Sequence, residues 1–204
     1  MEDFHVLGIN RHRIQTDGKG ITTLVALAGC PLSCQYCINK ELLEKNRVER
    51  LAPPALIERL AIDHCYFVYT NGGVTFGGGE PLLHGRQIAA FGALCPAEWN
   101  ITLETSLNVP ADLLLPLMTE RFSFIVDIKA MQPEIYLRYT ARDISHTKEN
   151  LTLLCRRMPK DRYIIKLPLI PGYSGQAELA DSLEQLQALG VPSENIATFA
   201  YITC

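Results

Sequence analysis

Residues 21–37 read ITTLVALAGCPLSCQYC. The first part, Ile21–Ala28, is a nearly continuous run of apolar and β-branched residues, the composition of a strand buried on both faces of a parallel sheet. Cys30, Cys34 and Cys37 follow at once. Working outward, similar β-rich runs are expected to form strands at Val74–Gly77, Ile101–Glu104, Phe122–Ile128, Tyr163–Leu169 and Ile196–Ile202. Between them, helices are expected at Pro54–Ile62, Gly85–Leu94, Ala111–Thr119, Ser145–Met158 and Ala177–Leu189, with one more turn at Pro133–Tyr139. The stretch Ala177–Leu189 spaces Leu179, Leu183 and Leu186 at helical intervals, then meets the stop signals Gly190 and Pro192. Six strands alternating with helices imply an α/β fold with right-handed crossovers. An open sheet and a partly closed barrel both satisfy the pattern. In either, functional residues belong at the C-terminal ends of the strands.

The chain has 204 residues, 48% of them hydrophobic, which fits a single domain spanning residues 1–204. Its net charge of −3 shows no basic excess, so no nucleic-acid partner is expected. Lys45, Arg47 and Arg50 alternate with Glu44 and Glu49 and read as a solvated helix face. No apolar stretch is long enough to span a membrane, and MEDFHVLGIN is not a signal peptide, so a cytoplasmic location is expected.

The seven cysteines are an odd set, and three crowd into one loop, which favours metal binding over a disulfide framework. Thiolates suit iron–sulfur clusters or zinc. Three of them ligate three corners of a cubane and leave the fourth iron open. A structural zinc site needs four ligands, and only His64 or Cys65 is nearby to supply one. Cys65, Cys95, Cys155 and Cys204 are scattered singly and read as small buried hydrophobes. The five histidines share no spacing and none is expected to be a ligand, although His84 stands close to a glycine turn.

With an aromatic, Tyr36, before its last cysteine, this C-x3-C-x2-C loop resembles the signature of the radical S-adenosylmethionine (SAM) superfamily. The surrounding motifs are similar to those of glycyl-radical-enzyme activating enzymes of the pyruvate formate-lyase activating type. They are Asp17-Gly18-Lys-Gly20-Ile21, Asn39 after the loop, Gly77-Gly78-Gly79-Glu80-Pro81-Leu82, Leu103-Glu104-Thr105-Ser106, Asp127-Ile-Lys129 and Lys166-Leu-Pro168 through Gly172. The resemblance implies a partial (β/α)6 TIM-like barrel, one [4Fe–4S] cluster on Cys30, Cys34 and Cys37, and SAM held on the open iron.

It further implies that Gly78, Gly79 and Glu80 meet the SAM amino group, through a carbonyl or the Glu80 carboxylate, and that Tyr36 lies near the adenine. Glu104, Thr105 and Asp127 would offer oxygen ligands to a monovalent cation; the alternative is that the two carboxylates are caps or ion-pair partners. Lys129 and Lys166 would pair with the SAM carboxylate or ribose, or else be solvated charges. No side chain is needed as a general base, so no catalytic residue is expected beyond these cofactor contacts.

The chain departs from the family in three places. It has no additional cysteine clusters in Asn39–Cys65, lysine stands at 166 where arginine is usual, and it ends at Cys204 without a histidine-containing tail. The implied activity is reductive SAM cleavage, with electrons from a flavodoxin- or ferredoxin-type carrier, to install a glycyl radical on a partner enzyme. Two alternatives are direct action on a small molecule or peptide, and a non-enzymatic iron–sulfur or zinc module.

Overall fold

The computed structural model describes residues 2–14 and 16–201. Its centre is one eight-stranded sheet in the order β3-β1-β2-β4-β5-β6-β7-β8. The strands are β1 (Phe4–Ile14), β2 (Ile21–Leu27), β3 (Glu49–Leu51), β4 (Gly73–Gly78), β5 (Asn100–Thr105), β6 (Phe122–Asp127), β7 (Tyr163–Leu169) and β8 (Ile196–Ala200). From β2 to β8 every pairing is parallel, which gives the six expected strands. Residue 202, in the last expected run, lies outside the described residues. Among the described residues the sheet does not close on itself, which makes the fold a partial barrel.

Two strands were not expected. β1 pairs antiparallel with β2 and, over Phe4–Val6, with β3. Register shifts at Val6/Gly8 and Asn10/Arg13 break the alternation of β1, so FHVLGINRHRI does not read as a strand. The basic cluster is not one helix face. α1 (Lys40–Lys45) ends at the left-handed Asn46, and Arg50 sits in β3 opposite His5.

The remaining helices are α2 (Pro53–Leu60), α3 (His64–Thr70), α4 (Gly85–Leu94), α5 (Ala111–Leu114), α6 (Pro133–Thr140), α7 (Ser145–Arg157) and α8 (Gln176–Ala188). α1 and α3 were missed. α5 stops short of Thr119 and passes into a 3-10 turn at Leu115–Leu117, because Pro116 removes a helical N–H donor and crowds the preceding turn.

The strands alternate faces. Phe76, Leu103, Phe124 and Ile165 are fully buried with Phe4, Phe91 and Trp99 in one core. Each such side chain contributes about 1.5–3 kcal/mol. Thr75, Thr102 and Ser123 occupy alternate positions along β4, β5 and β6. The tip of the β1–β2 hairpin packs beside two of them. The Thr75 hydroxyl donates to the Asp17 carbonyl (2.5 Å), and Gly18 lies against Thr102. Asp17 is buried in an ion pair with Arg13. Gly20 has φ +66°, and a Cβ there would stand 2.2 Å from the Thr70 carbonyl oxygen. These contacts account for the Asp17-Gly18-Lys-Gly20 run as a hairpin plug.

Candidate active site

The site forms at the C-terminal end of the sheet. A single cavity there is lined by Cys30, Cys34, Cys37, Asn39, Gly78, Gly79, Glu80, Glu104, Thr105, Asp127 and Lys129, together with Leu32, Ile38, Ser106 and Tyr201. Residues from the ends of β2, β4, β5 and β6 thus converge as the α/β topology requires.

The cysteine loop is held on two sides. Toward β4, the Glu80 N–H donates to the Gly29 carbonyl (2.8 Å) and the Asn39 amide donates to the Gly78 carbonyl (3.0 Å). A Cβ on Gly79 would stand 2.2 Å from the Gly29 oxygen and 2.6 Å from that of Leu27, so only glycine admits this approach. Toward α6, Ser33 and Gln35 donate to the terminal carbonyls of Thr140 and Tyr139 (2.9 and 3.1 Å). Leu32 and Cys34 pack on Tyr136 and Ile144. His84 donates from Nε2 to the Ala28 carbonyl (2.9 Å), which fixes its neutral tautomer.

Cys30, Cys34 and Cys37 are free thiols. Burial pushes the Cys34 thiol up to about 11, and Cys30 moves in the same direction for the same reason. A bound metal must therefore displace protons from both. His64 and Cys65 are not a fourth ligand. They lie on α3, which leads into the N-terminal end of β4, where His64 accepts from the Trp99 indole (3.0 Å) and Cys65 is exposed. Among the described residues, no three His, Cys, Asp or Glu side chains converge on a single ion. Three thiols on one loop without a fourth protein ligand fit a cluster with an open iron and not a structural zinc ion. Of the other cysteines, Cys95 is buried and Cys155 half-buried, while the exposed Cys65 corrects the core reading; Cys204 lies outside the described residues.

Glu80 is almost completely buried. One carboxylate oxygen accepts from Leu82 N–H (3.2 Å) and the Thr105 hydroxyl (2.5 Å); the other accepts from Ser106 N–H (3.0 Å) and its hydroxyl (2.7 Å). Burial pushes its pKa up. Against that burial, one backbone N–H on each oxygen and the two hydroxyls together stabilise the ionised form. Each carboxylate oxygen thus already has two hydrogen-bond partners within the protein. Thr105 is likewise engaged, donating to Glu80 and accepting from Leu107 N–H (3.0 Å).

Asp127 pairs with Lys129, and Glu104 with Lys166 (2.9 Å). The oxygen set suggested for a cation is thus present in one cavity but already partnered. Burial pulls the Lys129 ammonium down, yet Asp127 and Cys34 outweigh it and hold the group above the ordinary lysine range. Lys166 does not line this cavity. It also donates to the Thr16 carbonyl (3.2 Å) and borders a second cavity of about 480 Å3 toward the N-terminal end of the strands. Tyr36 points into an aromatic group with Tyr139, Tyr173 and Tyr201, with centroids 6.0–6.3 Å away.

The family model of the radical SAM superfamily matches residues 24–186. The chain belongs to the radical SAM superfamily. Among curated relatives, it is 32% identical to the indoleacetate decarboxylase activating enzyme of Tractidigestivibacter scatoligenes, over 90% of this chain and 79% of that protein. It is 27% identical to the (2S)-3-sulfopropanediol dehydratase activating enzyme of Klebsiella oxytoca, over 81% and 71%. The first alignment runs over 250 positions, more than the 204 residues here, so the relative carries insertions that this chain lacks.

In fold, the chain is similar to Streptococcus suis SuiB bound to S-adenosylmethionine, with TM-score 0.64 and 9% identity, over 88% of this chain and 38% of SuiB. With this family match and activating enzymes among its relatives, the chain is an enzyme of radical-generating redox chemistry. Among the described residues, no helix is long and apolar enough to cross a membrane.

Proposed function

We propose that the chain binds one [4Fe–4S] cluster through Cys30, Cys34 and Cys37, cleaves SAM reductively, and installs a glycyl radical on a partner enzyme. The observation that carries this reading is the single cavity in which the cysteine loop meets the glycine segment and Lys129. When bound, cluster and SAM together supply a 5′-deoxyadenosyl radical and methionine.

The chain's own residues do the positioning. Asn39 and the Gly29 carbonyl lock the cysteine loop against Gly78–Glu80. Backbone carbonyls of that segment would suit the ammonium of bound SAM, and the Lys129 ammonium would suit its carboxylate. Leu32, Ile38 and Tyr201 limit water at the rim. A flavodoxin- or ferredoxin-type carrier is the proposed electron source, and the names of the activating relatives support a glycyl radical enzyme as partner.

The test is anaerobic reconstitution, dithionite reduction and EPR with and without SAM, with assay of 5′-deoxyadenosine and methionine. A SAM-perturbed [4Fe–4S] signal with both products, then a glycyl radical signal on addition of a partner enzyme, is the expected result. A cluster indifferent to SAM overturns the reading. The segment Asn39–Cys65, without additional cysteine clusters, favours one other reading, direct action on a small molecule or peptide. Turnover of such a substrate without a partner protein would select it.

A further inference from the structure

Beneath the cysteine loop lies a buried ring of hydrogen bonds built from Ser106, Asn108, Tyr136 and Thr147. Tyr136, fully buried on α6, carries Leu32 and Cys34 on its ring side. Its hydroxyl accepts from the Asn108 amide (3.0 Å) and lies 3.1 Å from the Thr147 hydroxyl. Thr147 has one proton and gives it to the Ser106 carbonyl (3.2 Å), so Tyr136 donates to Thr147. The ring closes through Asn108 N–H, which donates to the Ser106 hydroxyl (3.2 Å). That hydroxyl in turn donates to Glu80, at the head of the glycine segment.

Between Ser106 and Asn108 sits Leu107, a buried non-glycine residue at φ +58°. Its conformation is clamped by Asn150, which donates to the carbonyls of Leu107 (2.9 Å) and Val109 (2.7 Å). Left-handed backbone at a bulky residue is costly and persists only where its surroundings enforce it, most often at functional sites. Here the strained residue turns Ser106 toward Glu80 and Asn108 toward Tyr136.

We infer that Asn108 and Tyr136 are positioning residues, which set the cysteine loop and the glycine segment at the separation that cluster-bound SAM requires. α6 holds the far side of the loop through Thr140 and Tyr139, and Glu80 holds the other half of the site. The ring is the buried polar connection between these two supports. The inference rests on the reading of this cavity as the cluster and SAM site.

Three variants test it: Tyr136→Phe, which keeps the aromatic packing; Asn108→Ala; and Thr147→Val, which cuts the ring elsewhere with little change of shape. Arg121→Lys, at the N-terminal end of β6, serves as a control for lost stability alone. In metal-free protein, amide exchange at Ser33 and Gln35 should quicken at least about fivefold in each ring variant, the effect of one net hydrogen bond where each variant removes two (Asn108 also donates to the Asp143 carbonyl, 2.7 Å), and stay unchanged in the control. In reconstituted protein, iron content should hold while SAM binds about fivefold more weakly, measured by titrating its effect on the EPR signal. The double variant Asn108→Ala/Tyr136→Phe should weaken SAM no further than the worse single, because one ring is broken once.

Unchanged SAM affinity in variants whose melting temperature falls like the control would overturn the inference and leave the ring a core feature. Unchanged exchange at Ser33 and Gln35 would overturn it too. A wild-type cluster indifferent to SAM would instead sink the reading of the site itself.

Discussion

Replacing Glu80 by glutamine exchanges one acceptor oxygen for an NH2 group among four donors. If the remaining oxygen stays with Ser106, the new NH2 meets Thr105 and Leu82 N–H. The Thr105 hydroxyl can turn, but the Leu82 N–H loses its acceptor. In the opposite orientation the Ser106 N–H is orphaned. Either way one buried backbone donor goes unpaired, at about 1–3 kcal/mol, and the surviving bonds lose their charge assistance, for roughly 2–4 kcal/mol together. For a chain of this size that corresponds to a melting temperature lower by about 5–15 °C. The assay is thermal and urea unfolding of the metal-free protein under reducing conditions, wild type against Glu80→Gln. A change within about 0.5 kcal/mol would refute the reasoning. It would mean that the native group is a neutral acid, or that these donors are not its partners.

Replacing Cys30, Cys34 or Cys37 by alanine should reduce iron to background and abolish 5′-deoxyadenosine formation, while circular dichroism of the metal-free protein stays unchanged. Gly79→Ala forces its Cβ against the Gly29 and Leu27 carbonyls, so it should cost about 1–3 kcal/mol and impair cluster incorporation, read from denaturant midpoints and iron content. Burial lowers the His84 pKa. Below about pH 6.5 the unfolded chain therefore binds more protons there, so stability should rise with pH and level off above that value. Comparing His84→Gln with wild type in urea titrations between about pH 5 and 7.5 should show a flatter profile in the variant. Arg121 donates to the carbonyls of Gly92, Pro96 and Trp99, and Arg121→Ala should lower stability by about 2–4 kcal/mol in the same titration.

The local chemistry of this chain was legible in the sequence wherever one residue type alone satisfies a requirement. Three closely spaced thiols announce a metal loop, and apolar runs of strand length announce buried parallel strands. The glycines of the 77–79 segment announce a close backbone approach, which the Gly29 carbonyl explains. β1 stayed hidden because its bulges break the period of two, and the turn of α5 because Pro116 acts on a helix that still looks apolar.

What the sequence could not decide is the partnership of charges, because Coulomb and hydrogen-bond energies depend on distances between residues far apart in the chain. The sequence leaves open whether the Glu80 carboxylate or a neighbouring carbonyl suits an ammonium; in the structure the carboxylate is a buried tie between β4 and β5. Glu104 and Asp127 read either as cation ligands or as ion-pair partners, and are paired with Lys166 and Lys129. Asn108, Tyr136 and Thr147 carry no signal of their own, since a lone amide, phenol or hydroxyl is ordinary in any segment. Only the packing of α6 and α7 beside the end of β5 brings them into one ring beneath the cysteine loop.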